Sequence, residues 1–498
     1  MVMRVGGIVS GMDIEAMVSK LMEAERMPLD RMKQQQTRLT WKRDAFREIN
    51  NTLLELDNMM LDMKLSTTYN PKNATSSQEG AVTATANSNA SNGSYEISVE
   101  NLATNEMQIS AQIELSELGN YAGEHTFYTY DEEGNEVPHT LNIDSNDSID
   151  DVLKKIGEAS GKTVRAFYDE NSHQVVLETT RTGVYHIDEN GERAGNEIEF
   201  GSSANDDKNF FTDFLGFGSN HANITQASNA EFTYNNGLQL ESRTNSYTLN
   251  GVTFQFNNQT DGNARITIDT DVEQSFESIM TFVDKYNEMI DQMNTSQTEE
   301  RFRDFHPLSD EQKEEMTEKQ IEQWEEKAKS GILRGESVIR DGMYTLRQSL
   351  QGKVETGGEF TLLSQIGITT TENYLDGGKL KVDEGKLKAA LRDHPDDVYK
   401  LFSSSSEGDS RGLIHRFDDS LDRISGSIEK QAGNSTHTLD NYTIGKRMKE
   451  MNERISDFER RMVKVEQRYW NQFTQMEKAI SNLNQQSSYL FSQFGGGM

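Results

Sequence analysis

The sequence has no cysteine among its 498 residues, which excludes a disulfide framework and any thiolate metal site. No run of about 20 apolar residues is present to span a bilayer. The opening Met1-Val2-Met3-Arg4-Val5-Gly6-Gly7 lacks the long apolar segment of a secretory signal peptide. Taken alone, that fits a cytoplasmic protein, and it leaves open export by a route that reads no cleaved signal. Basic residues are also short: 50 Lys and Arg stand against 82 Asp and Glu, a net charge of -32. Phosphate recognition needs clustered cations, so nucleic acid is not an expected partner. Apolar residues make up only 34% of the chain. Its length suits about three domains of ~150 residues each, and so little apolar material points to extended architecture with much solvated surface.

The acidity is confined to the middle. Residues 1–64 carry ten basic and ten acidic side chains, and residues 440–498 carry nine and seven. Both ends are nearly neutral, and both have a helical apolar period. Ser10 with Asp13 offers a capping pair, followed by Ile14, Met17 and Leu21 at helical spacing. Pro28 is expected to break the helix or restart it as a first-turn residue. Met32, Leu39, Phe46, Leu53 and Met60 then fall seven apart, with Ile49, Leu56 and Met63 in the second seam. Gln35 and Lys42 interrupt the first half of that second seam.

The C-terminal end repeats the pattern more fully. Ile444, Met448, Met451, Ile455, Phe458, Met462, Val465 and Tyr469 alternate steps of four and three, and Phe473, Met476, Ile480, Leu483, Leu490 and Phe494 continue the stripe. The run Val465–Tyr469–Phe473–Met476 steps four, four, three, a stutter that locally unwinds a coiled coil. A helix from Ile444 to Phe494 is about 75 Å long, too long to bury its stripe within one small domain. An intramolecular hairpin of the two ends is the ordinary reading. The Phe, Tyr and Met residues of the seam are bulkier and softer than an Ile/Leu zipper and favour packing among several neighbours. Both arrangements can hold in different segments.

Between the ends the texture changes. Residues 66–95 are rich in Ser, Thr, Asn and Ala and read as a linker leading into strands. Strand candidates follow at Tyr95–Val99, His125–Tyr130, Thr163–Tyr168, Gln174–Glu178, Glu231–Tyr234, Ser246–Leu249 and Ala264–Ile268. Asn190-Gly191, Asn236-Gly237 and Asn250-Gly251 mark hairpin turns. One short helix is expected at about Ile149–Glu158. Helix resumes at Val272, and further helices are expected over residues 309–330, Glu336–Leu350 and 386–402, the last restarting at Pro395. The fold class is therefore α+β and multidomain, an antiparallel helical coiled-coil stem from both chain ends with inserted β-rich head domains.

Motifs that suggest chemistry weaken on inspection. Gly157-Glu158-Ala159-Ser160-Gly161-Lys162-Thr163 is one residue short of a phosphate loop and follows a helix instead of preceding one. Asp144, Asn146, Ser148 and Asp150 alternate like a calcium loop, but Ile149 replaces the required Gly and Lys155 the bidentate Glu. A helix N-cap cluster explains them better. Asp131-Glu132-Glu133-Gly134-Asn135 reads as a solvated hairpin tip. The nine His residues form no helical zinc pair, and no Gly-x-Ser-x-Gly elbow occurs. No catalytic residue, cofactor or metal is expected.

Ordered blocks of sequence carry a resemblance. Gly6-Gly7-Ile8-Val9-Ser10-Gly11-Met12-Asp13-Ile14-Glu15-Ala16-Met17-Val18, then Leu21-Met22-Glu23-Ala24-Glu25-Arg26-Met27-Pro28-Leu29, resembles the opening of the flagellar cap proteins (FliD, flagellar hook-associated protein two). Leu333-Arg334-Gly335-Glu336-Ser337, Leu363-Ser364-Gln365-Ile366-Gly367-Ile368 and Asp397-Val398-Tyr399-Lys400-Leu401-Phe402 agree, as do Arg468-Tyr469 and Gln486-Ser487-Ser488-Tyr489-Leu490. Residues 141–178 are similar to a small β-α-β module of flagellin-related proteins.

The resemblance implies a structural protein, not an enzyme. It implies a cap at the filament tip, where an annular, pentamer-like homo-oligomer promotes flagellin folding and polymerisation and prevents flagellin leakage. A surface adhesin binding mucus or host glycans through the head is the alternative. Export through the flagellar type III apparatus is implied, without a cleaved signal. The implied partners are flagellin, the hook–filament junction protein and an export chaperone on the C-terminal helix; no membrane insertion is expected. The expected domains are a terminal coiled coil (1–45 and 445–498), a stem (46–75 and 272–444), one β-rich head domain (76–110 and 228–271) and a second containing the β-α-β module (111–227). The candidate interface is the pair of terminal seams: Ile14, Met17, Leu21, Met32, Leu39, Phe46, Phe458, Met462, Val465, Tyr469, Phe473, Met476, Ile480, Leu483, Leu490 and Phe494. Isolated helices are marginal in water, so both ends are expected to be mobile in the free chain and to order when neighbours bury them.

Overall fold

In a computed structural model of the protein, the apolar periods at the two ends form two long helices. The N-terminal helix spans Ile14–Met63 and the C-terminal helix Thr443–Phe494. The structure describes residues 13–200, 209–217 and 223–494, with side chains described through Phe491. The sequence block Gly6–Met12 therefore lies outside the described residues, as does the side chain of Phe494. Contacts divide the chain into two units: Met1–Tyr69 with Glu273–Met498, and Asn70–Val272.

The first unit is helical. Asp13 caps the N-terminal helix by accepting the Ala16 N–H at 2.9 Å. The helix does not break at Pro28 as the sequence suggests. Pro28 sits on the exposed face, where water can take the carbonyl that its missing N–H leaves unpaired. Farther on, Phe46, Ile49, Leu53, Leu56, Met60 and Met63 are buried. They belong to a helical core with Phe282 and Tyr286 of the Val272–Thr298 helix and Phe417, Leu421 and Ile424 of the Leu413–Ala432 helix. Phe417 meets the Phe282 ring edge-on at 5.7 Å. Shorter helices at Asp310–Glu314, Glu318–Lys329, Ser337–Gln351, Glu384–Asp393 and Pro395–Ser403 complete the unit with a two-stranded sheet, Ile368–Thr370 against Leu380–Val382.

A single side chain ties three of these parts together. Arg47 on the N-terminal helix donates from Nε to the Ala432 and Gly433 carbonyls at 3.0 and 3.1 Å, and from Nη2 to Asn434 at 2.8 Å. Those carbonyls close the Leu413–Ala432 helix, whose C-terminal dipole favours a cation. The same guanidinium lies 5.5 Å from the Tyr442 ring, just before the C-terminal helix begins. Arg47 thus fixes the loop that turns the chain into its last helix.

The second unit is β-rich, and its strands pair antiparallel among the described residues. A five-stranded sheet orders Lys72–Ser76, Ala264–Thr270, Gly93–Asn101, Ala230–Tyr234 and Leu238–Ser242. It shares a core with a three-stranded sheet of Ser246–Leu249, Val252–Phe256 and Val82–Ala86, through Val82, Ile97, Phe232, Phe254 and Ile266. Residues 66–95 are thus no linker. Strands Lys72–Ser76 and Val82–Ala86 alternate small Ala and Thr side chains, too weakly apolar to mark strands by period alone.

A separate core gathers the Ile149–Ala159 helix against strands Val164–Asp169, Gln174–Thr179, Gly123–Tyr130 and Glu136–Ile143, with Phe210, Phe211 and Phe217 fully buried. Ser148 and Asp151 form a reciprocal capping box at that helix. The Lys155 ammonium reaches Asp144 at 3.0 Å and Asp147 at 2.6 Å. It supplies the positive charge among the carboxylates that looked like a calcium loop. After the helix, the Gly161 N–H donates to Glu158 and the Lys162 N–H to Gly157. The amides of the apparent phosphate loop are already committed to helix carbonyls.

Arg47→Ala removes three charge-assisted hydrogen bonds, each of a kind worth about 1.5–3 kcal/mol at most. Thermal unfolding followed by helical circular dichroism is expected to shift down by several degrees, and an unchanged midpoint contradicts the assignment. In the β-rich unit, His139 is buried and its Nε2 lies 2.7 Å from the Thr129 hydroxyl. Burial holds its pKa below the ordinary 6.5. The unfolded chain therefore takes up the proton first, and stability falls as pH drops from about 6.5 toward the folded value. His139→Gln is expected to flatten the pH 7-to-5 loss of melting temperature in this unit; an equally steep profile rules the mechanism out.

Candidate assembly surface

The two terminal helices pair antiparallel. The Gln36 amide donates to Asn452, Lys33 faces Glu459 at 3.8 Å, and the Tyr469 hydroxyl donates to Glu25 at 3.0 Å. Positions step down one helix as they step up the other. Two apolar clusters lie along the seam. Leu29, Met451 and Ile455 form one with Met32 and Phe458. Ile14, Val18, Met22 and Met462 form the other with Met17, Phe458, Val465, Tyr469, Trp470 and Phe473.

The buried edge of the N-terminal helix is thus Ile14, Val18, Met22 and Leu29, steps of four, four and seven. Of the stripe read from sequence, Ile14 is buried, Met17 half-buried and Leu21 40% exposed. Val18 and Met22 were missed, although their i, i+4 spacing from Ile14 was available. Met32 and Leu39 are half-buried, and Phe46 belongs to the helical core. On the C-terminal helix, Met462 is buried, and Phe458, Val465, Tyr469 and Phe473 are half-buried. Arg461 lies 5.2 Å from the Phe458 ring and Arg468 5.5 Å from Tyr469, covering the aromatic faces that the partner helix leaves open.

Beyond Phe473 the seam loses its partner among the described residues. Met476 is 38% exposed, Ile480 half-buried, Leu483 63% exposed and Leu490 52% exposed. Phe491, not among the residues read from sequence, is 77% exposed. The stripe runs on through residues 474–491, about 27 Å of helix, while the described N-terminal helix begins at Ile14. Solvated apolar rows of this length mark interaction surfaces. No helix of the described residues is long and apolar enough to cross a membrane. Among the described residues there is also no cluster of three or more His, Asp and Glu able to hold a metal.

The chain thus pairs its two ends within one helical unit and carries the β-rich unit between them in sequence. A family model described as Flagellar hook-associated protein 2 N-terminus matches residues 10–106, and one described as Flagellar hook-associated protein 2 C-terminus matches residues 227–485. Flagellar hook-associated protein 2 of Halalkalibacterium halodurans is 33% identical over 98% of this chain and 99% of that protein. Its counterpart in Thermotoga maritima is 25% identical over 99% of this chain and 96% of that protein. The solved D1-D2-D3 domains of the flagellar cap protein FliD from Escherichia coli cover 82% of this chain and 99% of that structure, with a TM-score of 0.58 at 20% identity, and so share the fold. The chain belongs to the flagellar hook-associated protein 2 family, which is structural and not a family of enzymes.

The missing cysteines make the pairing directly testable. Gln36→Cys with Asn452→Cys places the only two thiols at the observed contact. A short bismaleimide is expected to join them within one chain at high yield, and a Leu61→Cys/Asn452→Cys control is expected to stay open. Equal yields for the two pairs contradict the register.

Proposed function

We propose that the protein caps the distal tip of the bacterial flagellar filament. In this reading it forms an annular homo-oligomer that promotes flagellin folding and polymerisation and prevents leakage of flagellin. Membership of the family and the fold shared with the Escherichia coli cap protein support the reading. The observation that carries it is the exposed row Leu483, Leu490 and Phe491 on a helix whose earlier turns are paired.

Each such side chain contributes about 1.5–3 kcal/mol when fully buried, so several per subunit drive association once copies meet. The same row suits an export chaperone, which would cover it before assembly, and the adjoining hook–filament junction protein belongs to the same route. Secretion through the flagellar apparatus would deliver the chain without a cleaved signal. The terminal seams, from Ile14 through Leu490, are the proposed interface. The division into coiled coil, stem and two head domains is part of the proposal.

Leu483→Asp with Leu490→Asp tests it, because both side chains are exposed and neither supports the described fold. Wild-type protein is expected to form a ring-sized species by light scattering, and the double variant to remain monomeric with unchanged helical content. In cells, replacing wild type with the variant is expected to shorten or abolish filaments and release flagellin into the medium. Oligomers and filaments of normal size in the variant contradict the proposal.

A further inference from the structure

One groove of the helical unit lies away from the terminal stripe. It has a volume of about 770 Å³ and runs between the N-terminal helix at Trp41–Ile49, the Val272–Thr298 helix and the loop after Glu318–Lys329. Its floor is apolar, built from Trp41, Ala45 and Ile332, all half-buried. Its rim is acidic. Asp44, Glu48, Glu288, Asp291, Glu299 and Glu326 line it, against one cation, Lys329.

Most of these charges are already engaged. Asp291 meets Lys379 at 2.7 Å, Glu288 meets Lys285 at 2.9 Å, Asp44 meets Arg43 at 2.7 Å, and Glu299 accepts the Gly331 N–H at 2.8 Å. Lys329 lies 3.7 Å from Glu325 and 5.0 Å from the Trp41 ring. Glu48 and Glu326 are exposed, and neither has an ion-pair partner among the described residues. They stand on different elements, across the apolar floor.

An apolar floor gains from losing water, and unpaired carboxylates beside it gain from an approaching cation as water leaves. A second copy of this chain brings the same acidic rim and a net charge of -32, so like charges oppose it here. An amphipathic helix with apolar residues at i, i+4 and i+7 and flanking Lys or Arg satisfies both parts of the groove. We propose that this groove docks a cationic amphipathic helix of a partner protein, its apolar side chains on Trp41 and Ile332 and its cations on Glu48 and Glu326. The inference stands apart from the cap reading and does not use the terminal stripe.

The probe is a fluorescein-labelled, 18-residue helical peptide with Leu at those spacings and Lys beside them, titrated with the full chain and read by anisotropy. The groove variant is Asp44→Asn/Glu48→Gln/Glu326→Gln. A charge-matched control, Glu132→Gln/Glu133→Gln/Asp150→Asn, removes as many carboxylates from the β-rich unit. Wild type and control are expected to bind alike, and the groove variant at least tenfold more weakly. A peptide with Gln in place of Leu is expected to lose at least tenfold on wild type. Absent binding by wild type overturns the proposal. So does equal weakening of the two variants, which means general attraction to an acidic protein. A groove variant that alters oligomer mass but not peptide binding also overturns it, and assigns the groove to a second copy.

Discussion

The antiparallel seam between the two chain ends decides which apolar side chains of the terminal helices are buried. Tyr469 reaching Glu25 and Gln36 reaching Asn452 set its register. Ile14, Val18, Met22 and Leu29 then give one helix a dry edge against Met451, Ile455, Met462 and Phe473. That register uses up the described N-terminal partner by Phe473, and past it Leu483, Leu490 and Phe491 form an overhang that is exposed among the described residues. Arg47 holds the other end by fixing the turn from Leu413–Ala432 into Thr443–Phe494.

The chain thereby separates two kinds of apolar burial. Phe46, Leu53, Phe282 and Phe417 are satisfied within one molecule. Leu483, Leu490 and Phe491 are not, among the described residues. A protein meant to stay alone has no use for the second set, because each exposed large apolar side chain costs solubility. The acidic middle of the sequence offsets that cost, because net charge keeps copies of a chain apart in solution. The β-rich unit needs none of this, since its two cores close on their own aromatic and branched side chains.

How far the sequence discloses this follows from the strength of each local signal. The C-terminal heptads are long, so the helix over Thr443–Phe494 is legible, although exposed Phe491 is not among the residues its period marks. The helix Ile149–Ala159 is equally clear from Ser148 and Asp151 at its start. Pro28 misleads because the carbonyl that its missing N–H frees belongs to exposed Ala24, where water lowers the cost enough for the helix to continue. Strands Lys72–Ser76 and Val82–Ala86 are hidden in Thr, Ala and Ser, whose small side chains lie under larger neighbours and carry little period of their own. The Leu413–Ala432 helix was overlooked, although Leu413, Phe417, Leu421, Ile424 and Ile428 step by four, four, three and four. Of the N-terminal seam, Ile14 and Met17 are legible in the sequence, while Leu21 faces water and Val18 and Met22 take the buried row. Sequence supplies the period, but the partner chooses among adjacent apolar rows.

The central claim is that the C-terminal overhang stays wet until sister molecules cover it. Hydrogen–deuterium exchange of backbone amides over residues 477–491, measured across a dilution series of the full chain, tests this most directly. Fast exchange in dilute protein, slowing sharply at the concentration where oligomers form while residues 446–462 stay protected throughout, is the predicted result. Equal protection of residues 477–491 at every concentration, in a species that remains monomeric, contradicts the account.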